Sequence, residues 1–348
     1  MEGDWILKFS VVFSLVAPPG SSTTHRQAFR EFRQFCPLVE ELGYHGIQVT
    51  EHHFQADGWT PSPLMLLAHA GAVTRRVRLV TNVLLSTLYP PVQLLEDLAT
   101  LDNLCEGRLT LGTSPGYASE EFLGRGVPYT DRFKLHEEII DFIEHAWANP
   151  DDIFYAGKFF QVPHLPLSPK PVQEKLPIWY GVSGPKLLER AARRRAPLTA
   201  SPRHTIAELK GHFAHYMKIA NDIGYVPEDR PIFRETLVLD TTAEAERHAA
   251  PGTNGLFGIY GRKSAEGERA LHTDDGKLVT DPVMVDFHAM ASRYIVGDPQ
   301  LAKERIRELK QELDPTEIVL RMQMPGLPSE LLERSLRLFA EQVMPEFT

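Results

Sequence analysis

The chain has 348 residues, 43% of them hydrophobic and 24% charged, the composition of a globular protein long enough for one large α/β domain or two smaller ones. Its 37 basic and 46 acidic residues leave a formal charge of −9, so no basic field draws it to nucleic acid or anionic lipid, and Arg75-Arg76 and Arg193-Arg194-Arg195 read as solvated cations near helix ends. Cys36 and Cys105 lie far apart and form no CxxC, which points to a reducing compartment, the cytoplasm.

In chain order, the apolar run from Phe9 to Ala17 is too short to cross a bilayer and is broken by Ser10 and Ser14. It reads as a first buried strand, 8–15, rather than a signal peptide. A helical pattern over 26–42 follows, with Pro37 inside it as a kink or boundary. A second strand, 46–50, runs into Glu51-His52-His53-Phe54. Then come helix 61–73, strand 77–84, helix 91–104 and strand 108–112. Helix 133–147 shows its period clearly: Leu135, Ile139, Phe142, Ile143 and Ala146 share a stripe, Glu137, Glu138, Asp141 and Glu144 take other faces, and Asp131 suits the cap. Residues 153–162 read as a small hairpin. Strand 177–182, helix 185–195, strand 197–200, helix 205–223 and strand 232–239 continue the alternation. Residues 251–293 carry Gly, Asp and Lys with little periodicity and read as a lid or substrate element, or else as disorder. Helix 300–313, strand 317–322 and helix 329–343 close the chain.

Eight strands alternating with helices, several of them apolar throughout as strands covered on both faces should be, predict a single (β/α)8 TIM barrel over residues 1–348 with the 251–293 insertion near its C-terminal mouth. A doubly wound sheet with a second domain is the alternative, since eight strands also fit an open sheet.

Barrel enzymes gather their chemistry where strands end. Here the exits carry Ser14, Glu51-His52-His53, Asn82, Thr113-Ser114-Pro115-Gly116-Tyr117, Gly181-Val182-Ser183-Gly184, Ser201 and Arg321 to Gln323. Alternation along a strand sends the two histidines to different sides, so the rings are not expected to be buried alike: one faces the mouth while the other packs behind it, or one is a core histidine and the other solvated. Gly181 to Lys186 is a small-residue turn opening a helix, whose backbone N–H groups, with Ser183 and Lys186, suit a phosphate; such turns are also glycine-rich simply to turn. Arg132 adds a guanidinium if its helix begins beside that turn, and is otherwise a surface salt bridge. There is no GxGxxG after the first strand, no zinc-binding helical pair and no serine nucleophile elbow.

In this order the motifs resemble the bacterial luciferase family, the luciferase-like flavin-dependent monooxygenases. They are Leu42-Gly43-Tyr44 into Glu51-His52-His53-Phe54; Val80-Thr81-Asn82-Val83-Leu84 with Pro90-Pro91; Glu106-Gly107-Arg108-Leu109; Gly112 to Tyr117 with Glu120-Glu121-Phe122; Pro177-Ile178-Trp179-Tyr180-Gly181; Val296-Gly297-Asp298-Pro299; and Val343-Met344-Pro345. The resemblance spans nearly the whole chain. It implies a barrel that binds reduced FMN, made by a separate reductase, at its C-terminal mouth, reacts it with dioxygen and oxidises a small organic substrate.

Carried over by position, His52 matches the catalytic histidine, suited to proton exchange. Glu51 contributes through its backbone, Asn82-Val83 matches a non-proline cis peptide under the ring, and Tyr117 and Ser201 match positions lining it. Arg132, Ser183, Gly184 and Lys186 match the phosphate site. Luciferase proper has an arginine on the fourth-strand loop where this chain has Pro115, so the phosphate must rest on the other four. No metal is implied. The resemblance further implies homodimerisation through helices around Leu64, Leu67, Ala68 and Gly71. Phe257, Tyr260, Phe287 and Trp59 suit an apolar substrate pocket.

Hydride transfer with a deazaflavin coenzyme is the second reading. A non-catalytic flavin-binding subunit is a third, against which His52 argues. A metal-dependent barrel hydrolase needs more ligands at strand ends than the sequence offers.

Overall fold

Short runs of branched and aliphatic residues, covered by helices, form the main sheet of the protein, here described from a computed structural model. It describes residues 6–54, 58–262, 271–279 and 286–348, with residues 254, 255 and 258–262 described by backbone alone. The strands are β1 (Lys8–Phe13), β2 (Gly46–Val49), β3 (Arg78–Leu84), β4 (Leu109–Thr113), β5 (Ile153–Ala156), β6 (Gln161–Leu165), β7 (Ile178–Tyr180), β8 (Pro231–Val238), β9 (Tyr294–Gly297) and β10 (Glu317–Arg321). The helices are α1 (His25–Glu41), α2 (Pro63–Val73), α3 (Pro91–Leu104), α4 (Ser119–Arg125), α5 (Arg132–Ala148), α6 (Pro185–Arg193), α7 (Ile206–Asp222), α8 (Thr242–Arg262), α9 (Pro299–Leu313) and α10 (Ser329–Gln342).

The main sheet runs β7-β4-β3-β2-β1-β10-β8-β9, and all its pairings are parallel. Residues 197–200 close the ring: Leu198 bridges Tyr180 in parallel, and the Ala200 N–H donates to the Pro231 carbonyl at 3.3 Å. The protein is therefore a (β/α)8 barrel with β9 added beside β8. β5 and β6 form the expected antiparallel hairpin.

Strand alternation divides the core. Val12, Phe233 and Val319 form their own cluster inside the ring, while Val11, Phe13, Ile232, Ile318 and Leu320 join the outer layer between strands and helices. At the N-terminal end the lumen is closed by charge: Asp229 accepts from Arg78 and from the Trp179 indole at 3.0 Å each, with Lys8 at 3.9 Å. Burial pushes the Asp229 carboxyl up, but the Arg78 charge and these hydrogen bonds outweigh it and hold it below the usual aspartate range.

Several local expectations are corrected. α1 runs through Pro37 unbroken, with Pro37 on the exposed face of the helix. Asp131 stands at the cap of α5 without a side-chain capping bond, whereas Thr205 and Asp298 do cap their helices. Residues 251–262, read as aperiodic, complete α8. Its buried stripe of Ala245, Ala249, Gly252, Thr253, Leu256 and Phe257 is helical, and Gly252 is small because a Cβ there would lie 3.0 Å from the Met324 side chain and the Pro325 carbonyl. The rest of the 251–293 segment includes residues 263–270 and 280–285, which lie outside the described residues. Among the described residues no helix is long and apolar enough to cross a membrane.

Candidate active site

The exit of β2 builds the site. Both histidines are buried, His52 at 8% and His53 at 3% exposure, and each meets a carboxylate. His52 Nδ1 lies 2.7 Å from Glu121 Oε1, and His53 Nε2 lies 2.6 Å from Glu51 Oε1. The Glu51 side chain also accepts from the Tyr89 hydroxyl and from the Leu85 N–H, each at 2.7 Å. It thus ties the β2 exit to the β3 exit, a side-chain task beside the backbone one expected of it. The neighbouring Tyr89 hydroxyl is held well above the usual tyrosine range, first by burial and then by the Glu51 charge.

α4 clamps this rim from outside. Glu121, wholly buried, also accepts the His53 backbone N–H at 3.0 Å. Arg125 reaches within 3.4 Å of His53 Nδ1. Gly124 leaves room for the Phe54 ring, which a Cβ would overlap at 2.2 Å. Phe54 itself takes a left-handed backbone, φ 55°.

Around the His52 ring stand two aromatic edges, Trp59 at 4.9 Å and Tyr117 at 5.5 Å between centroids, with the Tyr117 hydroxyl 3.5 Å from Nε2. Trp59 donates to Thr50 Oγ1 at 2.6 Å and packs with Val16 and Leu256. Arg321 also lies near it, 5.8 Å from the indole, paired with Glu235 through a 2.8 Å Nε–Oε2 bond and a second contact; both side chains are wholly buried.

The Asn82-Val83 peptide is cis, as expected from position. The Asn82 amide is fixed on both sides, donating to Gln48 Oε1 at 2.7 Å and accepting from Thr199 Oγ1 at 3.2 Å. Gln48 in turn donates to Glu317 at 2.8 Å, and burial raises that carboxyl above its ordinary range. Gly112 and Gly181 flank the β3 ledge. A Cβ on Gly112 would lie 2.0 Å from the Thr81 carbonyl, and one on Gly181 2.5 Å from Val83. Only glycine lets the neighbouring strands approach there.

The remaining expected residues take these places. Gly184 caps α6 with φ 93°, Ser183 precedes it half-buried, and Lys186 is exposed in the first turn. Arg132 begins α5, donating to the Tyr129 carbonyl at 2.9 Å and stacking on the Tyr129 and Phe133 rings; its Nε is buried and makes no hydrogen bond. One turn on, His136 packs against Tyr180 at 5.3 Å, at the strand end leading into Gly181 to Gly184, so α5 and the α6 turn share this wall. Ser201 sits half-buried at its strand end, its hydroxyl 3.5 Å from the Arg203 N–H. Pro115 is buried, its carbonyl accepting from Thr87.

The expected apolar pocket divides. Trp59 faces His52, but Phe257 and Phe287 both pack on Tyr294, at 5.9 and 4.6 Å, in the outer core; the side chain of Tyr260 lies outside the described residues. Leu256, one residue earlier, is the α8 side chain that reaches Trp59. The reading of single residues missed Glu121, whose signal was an acidic residue beside a buried Phe122 in a short helical run. It also missed Glu235, an acidic residue in an apolar strand.

Comparison with known proteins follows the same outline. Residues 7–316 match the family model described as luciferase-like monooxygenase. The chain is 26% identical over 342 residues, 93% of itself and 91% of the relative, to the flavin-dependent trigonelline monooxygenase oxygenase component of Acinetobacter baylyi. It is 26% identical over 337 residues, 90% of itself and 92% of the relative, to an F420-dependent glucose-6-phosphate dehydrogenase of Microbacterium testaceum. Its fold superposes with a TM-score of 0.79, at 19% identity and 99% coverage of both chains, on the oxygenating constituent of 3,6-diketocamphane monooxygenase from Pseudomonas putida in complex with FMN. The chain belongs to the luciferase-like monooxygenase family.

Proposed function

We propose that this member of the luciferase-like monooxygenase family is the oxygenase component of a two-component system, using reduced FMN from a separate reductase and dioxygen to oxidise a small apolar organic molecule. The observation that carries the reading is a buried histidine, His52, at the rim of the second strand, held by a carboxylate and walled by Trp59 and Tyr117. The oxygenase-component relative, matched over nearly the whole chain, supports it.

The residues fit a flavin phosphate: the buried Nε of Arg132 lacks a partner, and α6 opens at Gly184 with no side-chain cap; Pro185 has no N–H and the Leu187 N–H bonds the Gly184 carbonyl, so the Lys186 N–H is the one the first turn offers. Arg132, Ser183, Gly184 and Lys186 would hold the phosphate without help from Pro115. Asn82, Val83, Glu51, Tyr117 and Ser201 would border the ring, with Gly112 and Gly181 keeping the ledge flush. Bound reduced FMN supplies the oxygen-activating chemistry. The protein orients it, excludes water with Trp59 and Leu256 on the single 1–348 barrel, and exchanges a proton at His52. A homodimer through the helices around Leu64, Leu67, Ala68 and Gly71 would cover the exposed Met65 and Val73 of α2, since Leu67 and Gly71 themselves are buried within the chain. Buried, unpaired Cys36 and Cys105 suit the cytoplasm.

The F420-dependent relative supports the second reading, hydride transfer with a deazaflavin. Fluorescence titration separates the two: the oxygenase reading expects reduced FMN to bind more tightly than F420, and tighter F420 binding overturns it. His52→Ala should shorten the near-ultraviolet transient that follows dioxygen addition to the FMN-loaded protein by at least about tenfold. An unchanged lifetime removes the role assigned to His52.

A further inference from the structure

We propose that Glu121 is a positioning residue that fixes the His52 ring as its Nδ1–H tautomer, leaving Nε2 as a proton acceptor at the mouth. The inference rests on the reading of His52 as the residue that exchanges protons, and deepens it by stating which nitrogen does so and in which direction. The geometry comes from three elements. The β2 exit supplies the ring, α4 supplies the carboxylate, and the loop after β4 supplies Tyr117.

A carboxylate only accepts hydrogen bonds, and a backbone N–H only donates. Glu121 Oε1 meets both the His53 backbone N–H at 3.0 Å and His52 Nδ1 at 2.7 Å. The oxygen is thus an acceptor already engaged by one obligate donor, and Nδ1 carries the proton of the second bond. The neutral ring then holds its lone pair at Nε2. That nitrogen looks toward the Tyr117 hydroxyl, 3.5 Å away, a group able to donate to it.

The arrangement is held against rotation. Glu121 has no solvent exposure, and its helix is pinned by Phe122 in the core and by Phe54 lying over Gly124. Trp59 and Tyr117 stand edge-on to the ring at interplanar angles of 85° and 82°, so a flip of the imidazole would cross both. A charged acceptor buried with its donor discriminates between tautomers more strongly than one in water. His52 therefore takes a proton at Nε2 when the ring is neutral and returns it from the same atom.

The test reads the tautomer directly, in the full chain without flavin. Two-bond proton–nitrogen correlation on 15N-histidine protein, with His52 assigned by loss of its signals in His52→Gln, should show a protonated Nδ1 and an unprotonated Nε2. In Glu121→Ala the ratio of Nδ1–H to Nε2–H should fall at least about tenfold, as expected for losing a hydrogen bond to a charged group. Glu121→Gln, whose amide oxygen still accepts, should restore the ratio while moving the Nδ1 proton resonance upfield, because a neutral acceptor binds it less strongly. Wild type with its proton on Nε2 overturns the proposal, as does a Glu121→Ala ratio equal to wild type. Should Glu121→Ala fail to fold, an unmoved proton resonance in Glu121→Gln overturns it equally. Because no flavin enters the measurement, a chain that passes and yet fails to bind FMN keeps this pairing and loses only the oxygenase reading.

Discussion

Two buried carboxylates near Trp59 are answered by different bases. Glu121 faces the His52 imidazole, and Glu235 faces the Arg321 guanidinium. Both carboxylates are wholly buried and both partners sit at strand ends of the mouth. A guanidinium keeps its proton at any working pH, so the Glu235 side is a fixed electrostatic wall that gives shape. An imidazole has one nitrogen that can give a proton and one that can take it, so the Glu121 side is the one the proposed proton exchange would use. One architectural position, the C-terminal rim of a parallel ring, serves as scaffold or as chemistry according to which base answers the acid.

The largest break in that comparison is Arg321→Met. It leaves Glu235 buried without its cation and should cost about 3–5 kcal/mol in denaturant unfolding. Adding Glu235→Leu should recover most of that loss, since removing both partners removes the stranded charge. Failure to recover would mean the pair is not a self-contained wall.

His136 sharpens the contrast, because it is a buried imidazole answered by a hydroxyl instead of a carboxylate, with Ser86 Oγ 2.8 Å from Nδ1. Burial first, then the charges of Arg194 and Arg190, push it down to about 3. The folded protein thus keeps His136 neutral, while the unfolded chain takes up a proton near pH ~6.5. Its contribution to stability is complete above that value and is lost progressively as pH falls toward about 3. Unfolding free energy measured from pH 7 to 4 should decline by a few kcal/mol in wild type and less steeply in His136→Asn; parallel curves would contradict the assignment.

Trp59→Phe is the mildest break. It removes the 2.6 Å bond to Thr50 while keeping an aromatic edge against His52, and should cost about 1–2 kcal/mol. Melting with reduced FMN present should show the variant still stabilised by ligand. Loss of that stabilisation would make the indole part of the flavin site.

The ring itself was readable because its strands are local patterns. Residues 46–50 or 317–322 announce a covered strand by composition alone, and each ring position from 8–15 to 317–322 has its counterpart in the barrel. β9 and α8 were hidden for opposite reasons. Tyr294 to Gly297 is a four-residue run at the end of a polar stretch, too short to show a period. α8 has a clear buried stripe, but Pro251 and Gly252 disguise it, and Gly252 answers to Met324 and Pro325, a demand set by tertiary packing.

The site divides likewise. His52 stood out as part of a histidine pair at a strand exit. Glu121 did not, because Ser119-Glu120-Glu121 looks like a solvated first turn, and its burial arises only when α4 docks on a rim 69 residues earlier in the chain. Phe257 was read for Leu256 because the helical phase of α8 decides which of two neighbouring apolar residues meets Trp59.

A crystal of the protein soaked with FMN is the most direct test: the isoalloxazine should lie at the C-terminal mouth against the Asn82-Val83 peptide, with His52 Nε2 turned toward it and the phosphate between Arg132 and the opening turn of α6. A ring bound elsewhere, or one with His52 facing away, contradicts the proposed function.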